Sequence, residues 1–287
     1  MYDYAIMTED TADLPLDFMK EHELQGPHLT YTIDGVAYGK EHQLSHAEFY
    51  KKMREGSMPS TSQINPQEAK DHFKNVLKQH KDIIYIAFSS ALSGSYNSAR
   101  IAAEELMEED ASCRIRVISS LCASLGEGLL VYYAVMKRKQ GMGFEELAQW
   151  LEDNKLHVVH DFTVDDLFHL YRGGRVSRMT AIFGTVIHIK PVLHVDDGGH
   201  LSPVGKSRGR KKSLMELVKS MERQKGDYDN EIVFISHGDC VEDANFVAEE
   251  IKKRFGIENF LINHVGSVIG SHAGPGTVAL FYMGEYR

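Results

Sequence analysis

Cysteine is scarce in this chain of 287 residues: Cys113, Cys122 and Cys240 are the full complement, an odd number without CxxC spacing. That excludes a disulfide scaffold and fits free core thiols in a reducing compartment. Long apolar runs are missing as well. No stretch approaches the roughly 20 residues that a membrane-spanning helix needs. The opening Met1-Tyr2-Asp3-Tyr4-Ala5-Ile6-Met7 has neither the basic start nor the long apolar centre of a secretory leader. A soluble, cytoplasmic protein is expected. Positive charge is in the minority, with 32 Lys and Arg against 41 Asp and Glu and a net charge of -9, which opposes non-specific attraction to nucleic acid. One basic segment, Lys206-Ser207-Arg208-Gly209-Arg210-Lys211-Lys212, reads either as a solvated loop leading into a helix or as a patch for a phosphate or an acidic partner. Aromatic residues do not interleave with it as a nucleic-acid surface would require. No metal site is expected: no cysteine pair is available, and the spacing of His188, His194 and His200 suits neither one helical turn nor contact on one strand face.

What is present is globular in character. Apolar residues at 43% and charged residues at 25% allow one large or two ordinary cores. The first half alternates strand and helix patterns, which favours a parallel sheet flanked by helices. Tyr4-Ala5-Ile6-Met7 reads as a strand, and Asp34-Gly35 between β-prone segments reads as a hairpin turn. Residues 45–55 read as a helix. Asn65-Pro66-Gln67-Glu68 combines an N-cap, a first-turn proline and an acid three residues on, and so opens a helix to about residue 79. Thr61 then falls on a loop before that helix. The apolar run 82–88 has the length of a buried strand, and a helical pattern follows over 94–106. Ser93 therefore sits at a strand-to-helix turn, where open α/β sheets bind anions; the plainer reading is a helix cap. A strand over 114–118 and helices over 125–140 and 144–155 complete this half. At 157 the pattern changes, so we divide the chain into an N-terminal α/β domain, 1–156, and a C-terminal α/β domain, 157–287. In the second, 231–236 and 260–265 read as strands and 241–255 as a helix.

Three separated stretches supply small hydroxyls and an imidazole at what read as loop positions. They are Thr61-Ser62-Gln63, the segment from Ser89 to Ala99, and Gly270-Ser271-His272-Ala273-Gly274-Pro275-Gly276-Thr277. If they converge they cradle one small anionic group. Together with Thr8-Glu9-Asp10-Thr11-Ala12-Asp13-Leu14, Tyr171-Arg172-Gly173-Gly174-Arg175-Val176-Ser177 and Lys190-Pro191-Val192-Leu193, they resemble the ordered signature of the DegV family nearly end to end. The chain departs from that signature at Glu9 and Asp10, where the family usually has Asp then Ser, and at Ser119, where it usually has Asp.

The resemblance implies two α/β domains with a ligand cavity between them holding a long-chain, palmitate-like fatty acid, and no cofactor. It implies carboxylate contacts at Thr61, Ser93 and His272, with Ser62 and Gly94 beside them. It also implies a non-catalytic carrier that presents the carboxylate to the ATP-binding subunit of a fatty acid kinase for acyl phosphate formation, with transient membrane-surface contact for lipid exchange. Arg172, Arg175 and Arg178, with Lys206, Arg208 and Arg210, are candidates for docking that partner. The chemistry is sufficient: about fifteen buried methylenes at about 0.8 kcal/mol each gain on the order of 12 kcal/mol, so the head group decides orientation and charge. A competing expectation is a serine-dependent acyl hydrolase or acyltransferase using Ser93 and His272, with Asp239 or Asp10 as orienting acid. The chain lacks the G-x-S-x-G elbow common in that chemistry.

Overall fold

The computed structural model describes residues 3–177 and 189–287. The chain opens with β1 (Tyr4–Thr8), the short α1 (Leu16–Glu21), and the hairpin β2 (Thr30–Ile33) and β3 (Val36–Tyr38). Asp34 and Gly35 both take positive φ, 53° and 77°, as the two-residue hairpin turn demands. Next come α2 (His46–Arg54), β4 (Ser60–Ser62) and α3 (Pro66–Leu77). Both helices start on a complete capping box, Ser45 with Glu48 and Asn65 with Glu68. The half ends with β5 (Asp82–Ala87), α4 (Ser95–Glu109), β6 (Arg114–Ser119), α5 (Leu125–Lys139) and α6 (Phe144–Asn154).

The second half contains β7 (Val158–Thr163), α7 (Phe168–Arg172), β8 (Ile189–Val195), β9 (Leu201–Arg208) and α8 (Arg210–Gln224). It continues with β10 (Val233–His237), α9 (Val241–Phe255), β11 (Phe260–His264), α10 (Ser267–Ala273) and β12 (Val278–Met283). Three expectations change here. Thr61 lies on β4, whose partner is β2 through the Tyr31 to Thr61 register, and not on a loop. His272 belongs to the last turn of α10 and not to a glycine-rich loop. Lys206 and Arg208 are on β9 and Arg210 opens α8, so the basic segment is a strand end and a helix start.

The fold is mixed α/β. A parallel sheet runs β1-β5-β6, a small antiparallel one β3-β2-β4, and a six-stranded one β11-β10-β12-β7-β8-β9 in which only β10 and β11 are parallel. The period of two along β5 explains the layering: Ile83, Tyr85 and Ala87 pack toward α3 and α4, and Ile84 and Ile86 toward α5. Along β12, Val278, Leu280 and Tyr282 pack toward α8 and α9, while Ala279, Phe281 and Met283 turn inward to α5. Helix α5 is thus buried on nearly all sides and forms the layer between the parallel and the six-stranded sheet; its apolar residues pack both ways, and its buried Glu127 accepts from the Thr8 and Thr11 hydroxyls. Its glycines permit this closeness. A Cβ on Gly128 would stand 2.6 Å from the Ala12 carbonyl oxygen, and one on Gly126 would stand 2.9 Å from the Phe281 ring. Among the described residues no helix is long and apolar enough to cross a membrane.

Candidate functional site

The three hydroxyl and imidazole stretches converge. β4 carries Thr61, α10 carries His272, and Thr61 Oγ1 lies 2.8 Å from His272 Nε2 across 211 positions of sequence. Ser93 sits in the turn between β5 and α4, two residues before the first helical amide pair. Its Oγ accepts from the Ser95 amide at 3.2 Å and donates to Ser95 Oγ at 3.0 Å, so it helps cap α4 and leaves the positive end of that helix facing the same space. All three side chains, with Ser62 and Gln63, line a cavity of about 410 Å³, within the usual size of a small-molecule site.

Gly94 stands just behind this wall. Its amide donates to Gln63 Oε1 at 3.1 Å, and a Cβ there would fall 2.2 Å from that oxygen. Glycine is therefore what lets Gln63 close onto the start of α4. Arg175 also reaches the cavity wall; its Nε and Nη2 donate to the Leu92 carbonyl at 3.2 and 3.0 Å and its Nη1 to the Gly173 carbonyl. The sequence assigns it to a docking surface, and the structure sets it beside His272. Arg172, half-buried at the end of α7, has its Nη2 3.5 Å from the Ser271 carbonyl of α10. Arg178 lies outside the described residues. Lys206 and Arg208 are exposed, whereas Arg210 is held by Asp243 at 2.8 Å and faces Asp165 at 3.8 Å.

The electrostatics are those of a neutral imidazole near a fixed cation. Burial, then Arg175 and Arg172, push His272 down to about 4, so it is uncharged near neutral pH. Arg175 keeps its charge despite burial. An entering carboxylate finds two hydroxyls, one imidazole and a guanidinium close by, enough to satisfy it without taking up a proton.

Among the described residues nothing orients His272 as a catalytic base. Its Nδ1 has no hydrogen-bond partner and packs on Gly173, where a Cβ would stand 2.1 Å away. Asp10 instead accepts from the Leu29 amide at 3.0 Å, and Asp239 is paired with Arg54. The arrangement expected of a hydrolase triad is absent among the described residues. No group of His, Cys, Asp and Glu among them could hold a metal ion.

Beyond the Thr61–His272 end the walls are mainly apolar, with Leu29, Phe88, Leu92, Leu170, Val268 and Ile269 prominent. Four buried polar residues escape the sequence reading. Ser124 and Ser236 line the cavity with their hydroxyls 3.0 Å apart, and Ser124 donates to Asp13 behind them. Burial raises the Asp13 carboxyl to about 8. His160 lines the cavity from β7, and burial, then Arg287 and His194, lower it to about 3. The alternation of β7 and β10 was the available signal, because it turns His160 and Ser236 to the face that carries Phe162 and Phe234.

Comparison with known proteins bears on this site. The family model described as "Uncharacterised protein, DegV family" matches residues 3–285. A DegV domain-containing protein of Clostridium perfringens is 43% identical over 100% of this chain and 99% of its own length. A solved DegV family structure from Thermus thermophilus, described by its fatty acid binding, superposes with a TM-score of 0.87 at 28% identity, covering 99% of this chain and 100% of that one. The structure of DegV, a fatty acid binding protein from Bacillus subtilis, gives 0.84 at 26% identity, with 99% and 100% covered.

Proposed function

The chain belongs to the DegV family, and from that premise we propose that it is a carrier for one long-chain fatty acid, presented by its carboxylate to a separate fatty acid kinase. The observation that carries this reading is the cavity itself, mainly apolar in its walls and lined at one end by the Thr61–His272 pair and Ser93 before α4. The Thermus thermophilus and Bacillus subtilis relatives are fatty acid binders, which supports the same ligand class here. Thr61, Ser93 and His272 hold the carboxylate, with Ser62 beside them and Arg175 supplying charge; the acyl chain occupies the remainder.

Presentation to a kinase is consistent with the exposure of the head-group end. Ser62 and Gln63 are exposed and Thr61 and Ser93 partly so, which leaves a carboxylate there within reach of another protein. Lys206 and Arg208 are exposed cations able to meet an acidic partner, while Arg172 is half-buried beside α10. Native mass spectrometry of the purified protein, with organic extraction of whatever accompanies it, tests the carrier reading. A stoichiometric long-chain fatty acid is expected. A protein that is empty and takes up no added fatty acid would reject it. Phosphoryl transfer from ATP to the bound acid, on adding the kinase ATP-binding subunit, tests the second part separately.

A further inference from the structure

The tail cavity is not uniformly apolar, and one of its polar side chains has nothing to bond among the described residues. His160 lines it, 4% exposed, with its ring against Phe162 and Phe281 at centroid distances of 5.4 and 4.6 Å. Its Nδ1 meets no hydrogen-bond partner, and no described residue is hydrogen-bonded to the ring. A neutral imidazole carries one N–H donor and one bare nitrogen acceptor. Nδ1 is closed off in the packing, whereas Nε2, equally without a partner among the described residues, is not; buried polar groups are almost always satisfied, so an unmet nitrogen on a ring that lines a cavity points to a ligand. Ser124 and Ser236 do not pose the same question, because they bond each other and Asp13.

The register places His160 away from the head group. Thr277, bonded to the Ala273 carbonyl at the end of α10, precedes β12, and His160 pairs with Phe281 four residues further on. That is roughly 13 Å along the strand. His160 therefore faces the middle or far part of an acyl chain whose carboxylate sits at His272.

We propose that His160 selects the acyl tail, and that the preferred ligand is a long-chain fatty acid bearing a hydroxyl or oxo group part-way along its chain. This rests on the carrier reading above. A hydroxyl both donates and accepts, so it satisfies His160 in either tautomer; an unsubstituted chain covers the ring with methylenes and satisfies neither nitrogen.

The test is to measure binding of stearic acid and a set of its mid-chain monohydroxy derivatives. One positional isomer is expected to bind about five- to tenfold tighter than stearic acid, the worth of one buried neutral hydrogen bond. His160→Phe reverses the order, and His160→Asn keeps part of the preference. In the wild-type protein, imidazole nitrogen shifts of His160 move on adding the preferred hydroxy acid and stay with stearic acid, a readout that needs no variant to fold. Equal affinity for stearic acid and every isomer, or a preference that survives His160→Phe, overturns the inference while leaving the carrier reading intact. Failure to bind any of these acids, stearic acid included, overturns the carrier reading itself.

Discussion

Replacing Thr61 by valine keeps the side-chain shape and removes one hydroxyl. That hydroxyl is 2.8 Å from His272 Nε2, and in the proposed complex it donates to the carboxylate. A hydrogen bond to a charged acceptor in a part-buried site is worth about 1 to 3 kcal/mol, and about 1.4 kcal/mol is tenfold in affinity. Thr61→Val should therefore weaken fatty acid binding by roughly five- to 150-fold. Binding should persist, because the tail contributes on the order of 12 kcal/mol before association costs. The informative assay is calorimetric or fluorescence titration with a fatty acid and with the alcohol of equal chain length. Wild-type protein should favour the acid, and the variant should lose most of that discrimination while binding the alcohol almost as before. His272→Asn should lose discrimination too, and the double variant less than the product of both, since the two groups share one partner. Undiminished preference for the acid in both single variants would refute the head-group assignment.

Other perturbations address separate parts of the argument. In Arg175→Gln, loss of the guanidinium beside His272 should raise that histidine from about 4 toward its ordinary value, read as an upward-shifted midpoint by NMR; an unmoved midpoint would remove Arg175 from the site's electrostatics. Asp13 is raised to about 8, so the unfolded chain sheds its proton first as pH rises. Its stabilising contribution is present at acid pH and declines as pH rises through about 8, with a slope of up to about 1.4 kcal/mol per pH unit. Asp13→Asn should flatten that decline in denaturant titrations, and an unchanged slope would mean that Asp13 is ionised in the folded protein. Gly128→Ala should lower stability by about 1 to 3 kcal/mol despite better helix propensity, because the obstructing atom is the Ala12 carbonyl; a raised melting temperature would contradict the close packing of α5.

Much of this architecture could be read from local sequence because the signals were local. Both capping boxes, the Asp34-Gly35 turn and the run into β5 each carry their geometry within a few residues. Thr61 could not be read as a strand residue: Ser60-Thr61-Ser62 has no apolar alternation, and only its distant partner β2 makes it one. His272 read as a loop residue because glycines surround it. Gly270 serves packing within the helix, since a Cβ there would stand 2.5 Å from the Tyr50 hydroxyl. Lys206 and Arg208 read as a loop because β9 is an edge strand interrupted by Pro203 and rich in exposed polar positions. That Thr61, Ser93 and His272 come to one cavity was legible through the family resemblance. The polar residues further along the cavity, Ser124, Ser236 and His160, were not. Their convergence depends on how one sheet lies over another, and no short window of sequence encodes that.

The burial of α5 bears on how a ligand gets in and out. Strands before residue 157 and strands after it belong to different sheets, yet both sheets close on the same helix. Prising the halves apart would strip one side of that helix to water, exposing Leu129, Val131 and their neighbours at a cost no exchange step could bear routinely. If the proposed carrier reading holds, loading and release would fall instead to the short elements at the Thr61–His272 end, a three-residue strand and a seven-residue helix. The same geometry means that the protein should melt as one unit: a single calorimetric transition, with neither half persisting as a folded remnant of the other.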